Sequence, residues 1–189
     1  MTITDRLHRI AFERVRPLPE EAGASRPGDD LVAAADVVMD RAFTLDAPVE
    51  LVWPWFVQLG KRRAGWYLPR RIERFIPPPR RAIRTIDPDL QQLKVGDVIP
   101  DWGGRDASFT VAALQAPVTL VYRSGRGQIN LSWAINLDAS SAGRTRVHLR
   151  LRIAGVKRRH LAEIVGGLVD LLTVAGLAAG LRERVRPPA

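Results

Sequence analysis

The residues that could do chemistry in this chain are few. Three histidines are present, His8, His148 and His160, and their spacing matches no metal-ligand pattern. Cysteine is absent, which removes thiolate nucleophiles, Cys-ligated zinc and disulfides. No nucleophile elbow, phosphate-cradling glycine loop or Ser/His/Asp arrangement is recognisable, because Gly125-Arg-Gly127 reads as a hairpin and not as a strand-to-helix turn. Neither a metal nor a cofactor is implied. What remains is acid/base or binding chemistry in a cavity, where burial or a charged partner shifts the pKa of an ionisable group. Tyr67, Glu73, Tyr122 and Arg41 are the candidates; no residue is singled out as catalytic, and Tyr67 or Glu73 would be the acid or base if a reaction is catalysed.

Each candidate also has a plainer reading. Glu73 has Arg70 and Arg74 at neighbouring helical positions, which predicts a surface ion pair. Trp66 and Tyr67 follow a glycine in a loop and either reach a cavity mouth or pack in the core. Arg41 shares strand parity with Phe43 and Leu45; pointing inward, it would need a carboxylate partner or an acidic ligand, whereas a bulge at Asp40 would expose it. Trp53, Trp55 and Trp133 are core aromatics or ring surfaces for an apolar ligand, and Gln58 could add a polar contact. The ligand-binding set is therefore Arg41, Trp53, Gln58, Trp66, Tyr67, Tyr122 and Trp133.

These groups must be positioned by regular elements. β-favouring composition predicts a strand over Val37 to Leu45, and Asp46-Ala-Pro-Val-Glu50 supplies an N-cap acid and first-turn proline for a helix to about Leu59. Pro54 would kink that helix, and Gly60 is its C-cap. A second short helix is predicted over Trp66 to Phe75, closed by Pro77-Pro-Pro79. Strand-sized pieces follow at Asp97 to Pro100, Ala107 to Leu114, Val118 to Arg123, Ile129 to Leu137 and Thr145 to Ile153. Ser124-Gly-Arg-Gly127 and Ser140-Ser-Ala-Gly143 are hairpin loops, so the strands form an antiparallel meander.

Alternation places Ile129, Leu131, Trp133, Ile135 and Leu137 on one face, matched by Val147, Leu149, Leu151 and Ile153. Arg146, His148, Arg150 and Arg152 fall on the other face as a basic stripe in solvent, or as a docking surface giving Arg146, Arg150 and Arg152 a weak association with anionic membrane. The stripe lacks interleaved aromatics, so no nucleic-acid partner is expected. His160 to Arg184 is predicted as a long helix, apolar on most of its circumference. Its segment Ile164 to Leu181 approaches the length of a membrane span, but Asp170 in its middle and its several glycines favour burial under a curved sheet.

The bulk numbers agree with one globular domain: 189 residues, 46% hydrophobic and 26% charged. Residues 1 to 35 contain a short helical stretch at 5 to 16 and then Pro17, Pro19, Gly23, Pro27 and Gly28, and read as an arm before a domain over 36 to 189. A formal charge of +9 attracts phosphates, anionic lipid or acidic partners without choosing among them. Met1 to Glu13 carries acidic residues and no unbroken apolar stretch, which predicts no signal or transit peptide and a cytoplasmic protein.

The order of elements, an α+β pattern of strand, two short helices, antiparallel meander and long C-terminal helix, resembles the helix-grip fold of polyketide cyclases, START lipid-transfer domains and plant pollen allergens. The local text is more specific. Pro27-Gly-Asp-Asp-Leu31, Val52-Trp-Pro-Trp-Phe-Val-Gln-Leu-Gly60, Gly65-Trp-Tyr67, the stretch Ile86 to Asp97, Trp133 and Thr145-Arg146 resemble a bacterial branch of the SRPBCC (START-like) superfamily over residues 27 to 154. Leu68-Pro-Arg-Arg-Ile72 and Pro77-Pro-Pro79 depart from that pattern. The resemblance implies a curved sheet wrapped around the last helix, with a cavity between them that takes a small hydrophobic, aromatic or lipid-like molecule. Three functions fit this: non-covalent binding or transport, a cyclase- or dehydratase-like enzyme, and a peripheral membrane or partner-binding module.

Overall fold

The computed structural model describes residues 15–140 and 143–185. Six strands form one antiparallel sheet: β1 (Val37–Leu45), β2 (Val98–Pro100), β3 (Ser108–Gln115), β4 (Thr119–Arg126), β5 (Ile129–Ser140) and β6 (Arg144–Ala154). Their order is β1-β6-β5-β4-β3-β2, so the first strand joins the last and the meander fills the rest. Helices are α1 (Pro19–Gly23), α2 (Val49–Gln58), α3 (Arg70–Glu73), α4 (Arg159–Leu161) and α5 (Gly167–Arg184). A π-helical turn, Ala162–Gly166, joins α4 to α5. This is the helix-grip arrangement, an α+β fold in which a curved sheet holds the C-terminal helix.

The expected alternation sets the register. Leu131 pairs with Ile153, Trp133 with Leu151, Ile135 with Leu149 and Leu137 with Val147. A period of two then sends all of them to the face that meets α5. Phe43, Leu45, Leu120, Leu149, Leu177 and Leu181 are almost fully buried there. Burial of each side chain of this size stabilises the fold by about 1.5–3 kcal/mol. Gly180 lets the chain after α2 cross the helix closely, because a Cβ there would lie 2.6 Å from the Tyr67 carbonyl carbon.

Several expectations need correction. α2 begins at Val49 with Pro48 at its N-cap, and Asp46 caps nothing. Pro48 already has an extended φ/ψ, so proline itself ends the strand-like backbone and the acid is left exposed. The second helix shrinks to Arg70–Glu73, since Pro69 limits its start. β4 runs through Gly125 to Arg126, and the turn is Gly127-Gln128, where Gly127 takes φ +63°. The stretch expected to be helical at 5 to 16 lies mostly outside the described residues, as does part of the 140–143 hairpin.

The largest difference concerns the face away from α5. The arm lies across it and covers the basic stripe, whose members were expected in solvent. His148 and Arg150 are buried. Arg150 donates to the carbonyls of Ala22 (2.9 Å) and Ala24 (2.8 Å) and to the carboxylates of Asp29 (2.8 Å) and Asp40 (2.7 Å). Arg146 grips Glu21 at 2.6 Å, and Arg152 donates to the carbonyls of Val32 and Ala33. The stripe was built for the chain's own backbone carbonyls, which a guanidinium satisfies in a fixed fork. Burial pushes Asp40 upward, but the His148 imidazole 3.0 Å away and the hydrogen bond from Arg150 outweigh it and hold the carboxyl below its usual range.

The C-terminal helix also differs. Its second half is core, with Leu171, Val174, Leu177, Ala178 and Leu181 buried. Its first half is not: Leu161, Ile164, Val165, Leu168, Val169 and Leu172 are between 42% and 57% exposed. By length and composition the helical stretch Arg159–Arg184 is apolar enough to cross a membrane.

Candidate functional site

The site begins with cross-strand neighbours. Tyr122 on β4 pairs directly with Trp133 on β5, and Trp133 with Leu151 on β6. Side chains opposite each other on one sheet face lie close enough to stack. The Tyr122 and Trp133 rings lie 5.7 Å apart at 20°, and Trp66 stacks on Trp133 at 6.0 Å and 29°. Phe109 from β3 leans on both, 5.8 Å from Tyr122 and 6.1 Å from Trp133. Each such ring pair adds about 0.5–1.5 kcal/mol beyond its buried area. The rings form one continuous aromatic wall.

Facing that wall is α5. Trp66 is tied to it by an indole N–H donating to the Thr173 carbonyl at 3.2 Å. Asp170, Thr173 and Val174 complete the opposite side, with Leu59, Ile99 and Leu151 between. Together these residues line a half-open cavity of about 180 Å³. A dry cavity of about 150 Å³ holds one benzene ring, so this space suits one ring, with room at its open side for a second.

The rim is held by Asp101. Its carboxylate accepts from the Trp102 backbone N–H at 2.7 Å and pairs with Arg126, and its carbonyl accepts from the Lys61 ammonium at 2.7 Å. Gly103 has no side chain to collide with the Arg126 guanidinium. Trp102 is thereby left at the mouth, edge-on to Trp66 at 6.1 Å.

Asp170 is the polar feature of the wall. It is mostly buried, and Arg41 Nε approaches its Oδ2 at 2.9 Å without the alignment of a hydrogen bond. Arg41 is held in place by the carbonyls of Asp40 (2.9 Å) and Gly167 (3.0 Å). Burial raises the Asp170 carboxyl above its usual range; Arg41 opposes that shift, and Asp40 adds to it. Such a carboxyl holds its proton more readily than a surface acid, and can donate or accept a hydrogen bond inside the cavity.

Of the predicted site residues, Trp66, Tyr122 and Trp133 line the cavity. Tyr122 makes no hydrogen bond among the described residues, and burial raises its pKa, so its hydroxyl stays protonated. Arg41 points inward and meets a carboxylate, the demand that its position predicts. Tyr67 does not line the cavity; it is buried beneath α5, and its hydroxyl donates to the Trp55 carbonyl at 2.9 Å. Gln58 is a buried strut that accepts from the Asp87 N–H (3.0 Å) and donates to the Thr85 carbonyl (3.2 Å). Trp53 packs against the core away from the cavity.

Glu73 does not pair with Arg70 or Arg74 and does not reach the cavity. It is buried, and its two oxygens accept at 2.6 Å from Arg184 and from Arg84. Burial raises its pKa, but the two guanidinium hydrogen bonds outweigh this and hold the carboxyl below its usual range. It is a clamp between the short helix and the end of α5. Sequence reasoning missed Trp102, Phe109 and Asp170, all of which line the cavity; the signal for Asp170 was an isolated acid in an apolar helix. Among the described residues no group of three or more His, Asp or Glu could hold a metal ion.

No protein-family model matches the chain, and no curated protein matches its sequence. Solved structures do match its shape. A hypothetical protein of Helicobacter pylori superposes with a TM-score of 0.54 at 13% identity, over 87% of this chain and 96% of that one. A protein of Chromobacterium violaceum gives 0.51 at 14% identity, over 80% and 99%. CalU16 of Micromonospora echinospora gives 0.48 at 18%, over 80% and 76%. At these identities the likeness is one of fold.

Proposed function

We propose that the protein binds, without reaction, a small planar aromatic molecule in the cavity between sheet and α5, with a hydroxyl or amine of the ligand on Asp170. The observation that carries this is the aromatic wall of Trp66, Tyr122 and Trp133 facing one mostly buried carboxyl across about 180 Å³. A mostly apolar cleft with a few polar groups orients a ligand while taking most of its affinity from ring burial. The helix-grip fold and the resemblance of residues 27 to 154 to SRPBCC proteins support the same reading. A cyclase- or dehydratase-like reaction would have to run on Asp170 or Tyr122, because Tyr67 and Glu73 do not line the cavity.

Titration with phenol, naphthalene and 1-naphthol, followed by tryptophan fluorescence, tests the proposal. Saturable quenching is expected, strongest for 1-naphthol. Val174→Phe, which fills the cavity, should weaken binding at least tenfold, and Asp170→Asn should narrow the preference for 1-naphthol over naphthalene. Absence of saturable binding by all three, or affinity unchanged in Val174→Phe, would sink the reading.

A further inference from the structure

The exposed half of the C-terminal helix has a regular pattern. Leu161, Ile164, Val165, Leu168, Val169 and Leu172 recur at intervals of three and four, so they share one helical face, and each is roughly half-exposed. At 1.5 Å per residue this stripe runs for about 16 Å. The opposite face of the same helix is already taken by the sheet, through Leu171, Val174 and Leu177. Nothing among the described residues covers the outer stripe. Contiguous exposed apolar surface of this kind marks an interaction site.

Charge selects the occupant. Lys157, Arg158, Arg159 and His160 immediately precede the stripe and are all exposed. Arg159 pairs with Glu163, while Lys157 and Arg158 have no ion pair among the described residues. By contrast, Arg146, Arg150 and Arg152 are occupied by the arm. Toward the other end of the stripe, linked to the Thr173 carbonyl through Trp66, stands Trp102, 52% exposed. Tryptophan favours the boundary between headgroups and acyl chains. A second copy of a chain with net charge +9 would bring like charge to this face, whereas an anionic bilayer neutralises it.

We infer that residues 161–172, with Trp102 at one end and Lys157 and Arg158 at the other, lie in the surface of a membrane containing anionic lipid. The helix rests in the interface plane, its apolar stripe in the acyl boundary and its cations among the headgroups. Trp102, which stands at the mouth of the cavity, then brings that mouth to the bilayer surface.

Flotation of the purified protein with vesicles of phosphatidylcholine, and of phosphatidylcholine doped with phosphatidylglycerol, tests this. Binding is expected to the doped vesicles and to fall with added salt. Leu168→Asp should reduce it at least tenfold, and Lys157→Ala and Arg158→Ala about fivefold each. These side chains are exposed, so the variants should keep the wild-type circular dichroism and melting temperature. The inference is independent of the aromatic-ligand reading: Val174→Phe should leave flotation intact. No flotation with doped vesicles, flotation indifferent to Leu168→Asp, or a solution dimer dissolved by Leu168→Asp would each overturn it.

Discussion

Arg41 on β1 and Asp170 on α5 meet at 2.9 Å across the seam between sheet and helix, at the edge of the aromatic cavity. The pair joins the first strand to the helix that the sheet holds, and it puts the one acidic residue of an apolar stretch where a ligand would touch it. The Asp170 carboxyl should titrate above the 3.8 of an ordinary aspartate. Carbon-13 NMR of labelled protein reads this directly, and Arg41→Met should move the midpoint higher still, because the opposing positive charge is gone. A midpoint at or below the ordinary value would contradict the burial argument.

Glu73 should behave in the opposite sense. Its folded-state pKa is depressed, so its contribution to stability is present above the unfolded carboxylate value of about 4.3 and is lost as pH falls through the lower folded value. Glu73→Gln leaves Arg184 buried without its anion and should cost about 3 kcal/mol near neutral pH. Urea denaturation at a series of pH values should show the variant and the wild type converging in acid.

Gly180→Ala should destabilise by about 1–3 kcal/mol, because the added methyl would enter the Tyr67–Leu68 backbone at less than van der Waals distance. Thermal melts should show the loss, with Gly167→Ala, where a Cβ meets nothing within 4 Å, as the neutral or stabilising control.

Arg150→Met should release the arm. Hydrogen exchange is expected to rise across residues 19–33 while β4 and β5 stay protected, because the lost bonds reach arm carbonyls and Asp29. Uniform deprotection of the whole sheet would instead make Arg150 a general core residue.

How much of this was legible depended on whether neighbours along the chain decided it. β1 is predicted over Val37 to Leu45 and spans those residues, and the facing of Trp133 and Leu151 follows from alternation alone. Arg41 pointing inward followed from the same parity. Its partner did not, because Asp170 lies far along the chain in a helix whose rotation local pattern leaves open. The basic stripe misled for a related reason. Alternation assigns Arg150 to the outer face, but only tertiary packing reveals that a Pro- and Gly-rich arm returns to cover it. Glu73 was paired by helical spacing with arginines on its own short helix, whereas its partners are Arg84 and Arg184. The C-terminal helix is apolar on most of its circumference and has apolar residues at helical spacing in both halves, so local pattern could not show which half would be left outside.

The place of β6 between β1 and β5 has a consequence during synthesis. Among the described strands β1 pairs with β6 alone, so that edge stays open until Arg144–Ala154 has left the ribosome and can slot between it and the finished meander. Closing so long a loop is entropically costly and slow. Until then Val37, Phe43 and Leu45 lack the strand that flanks them in the finished sheet.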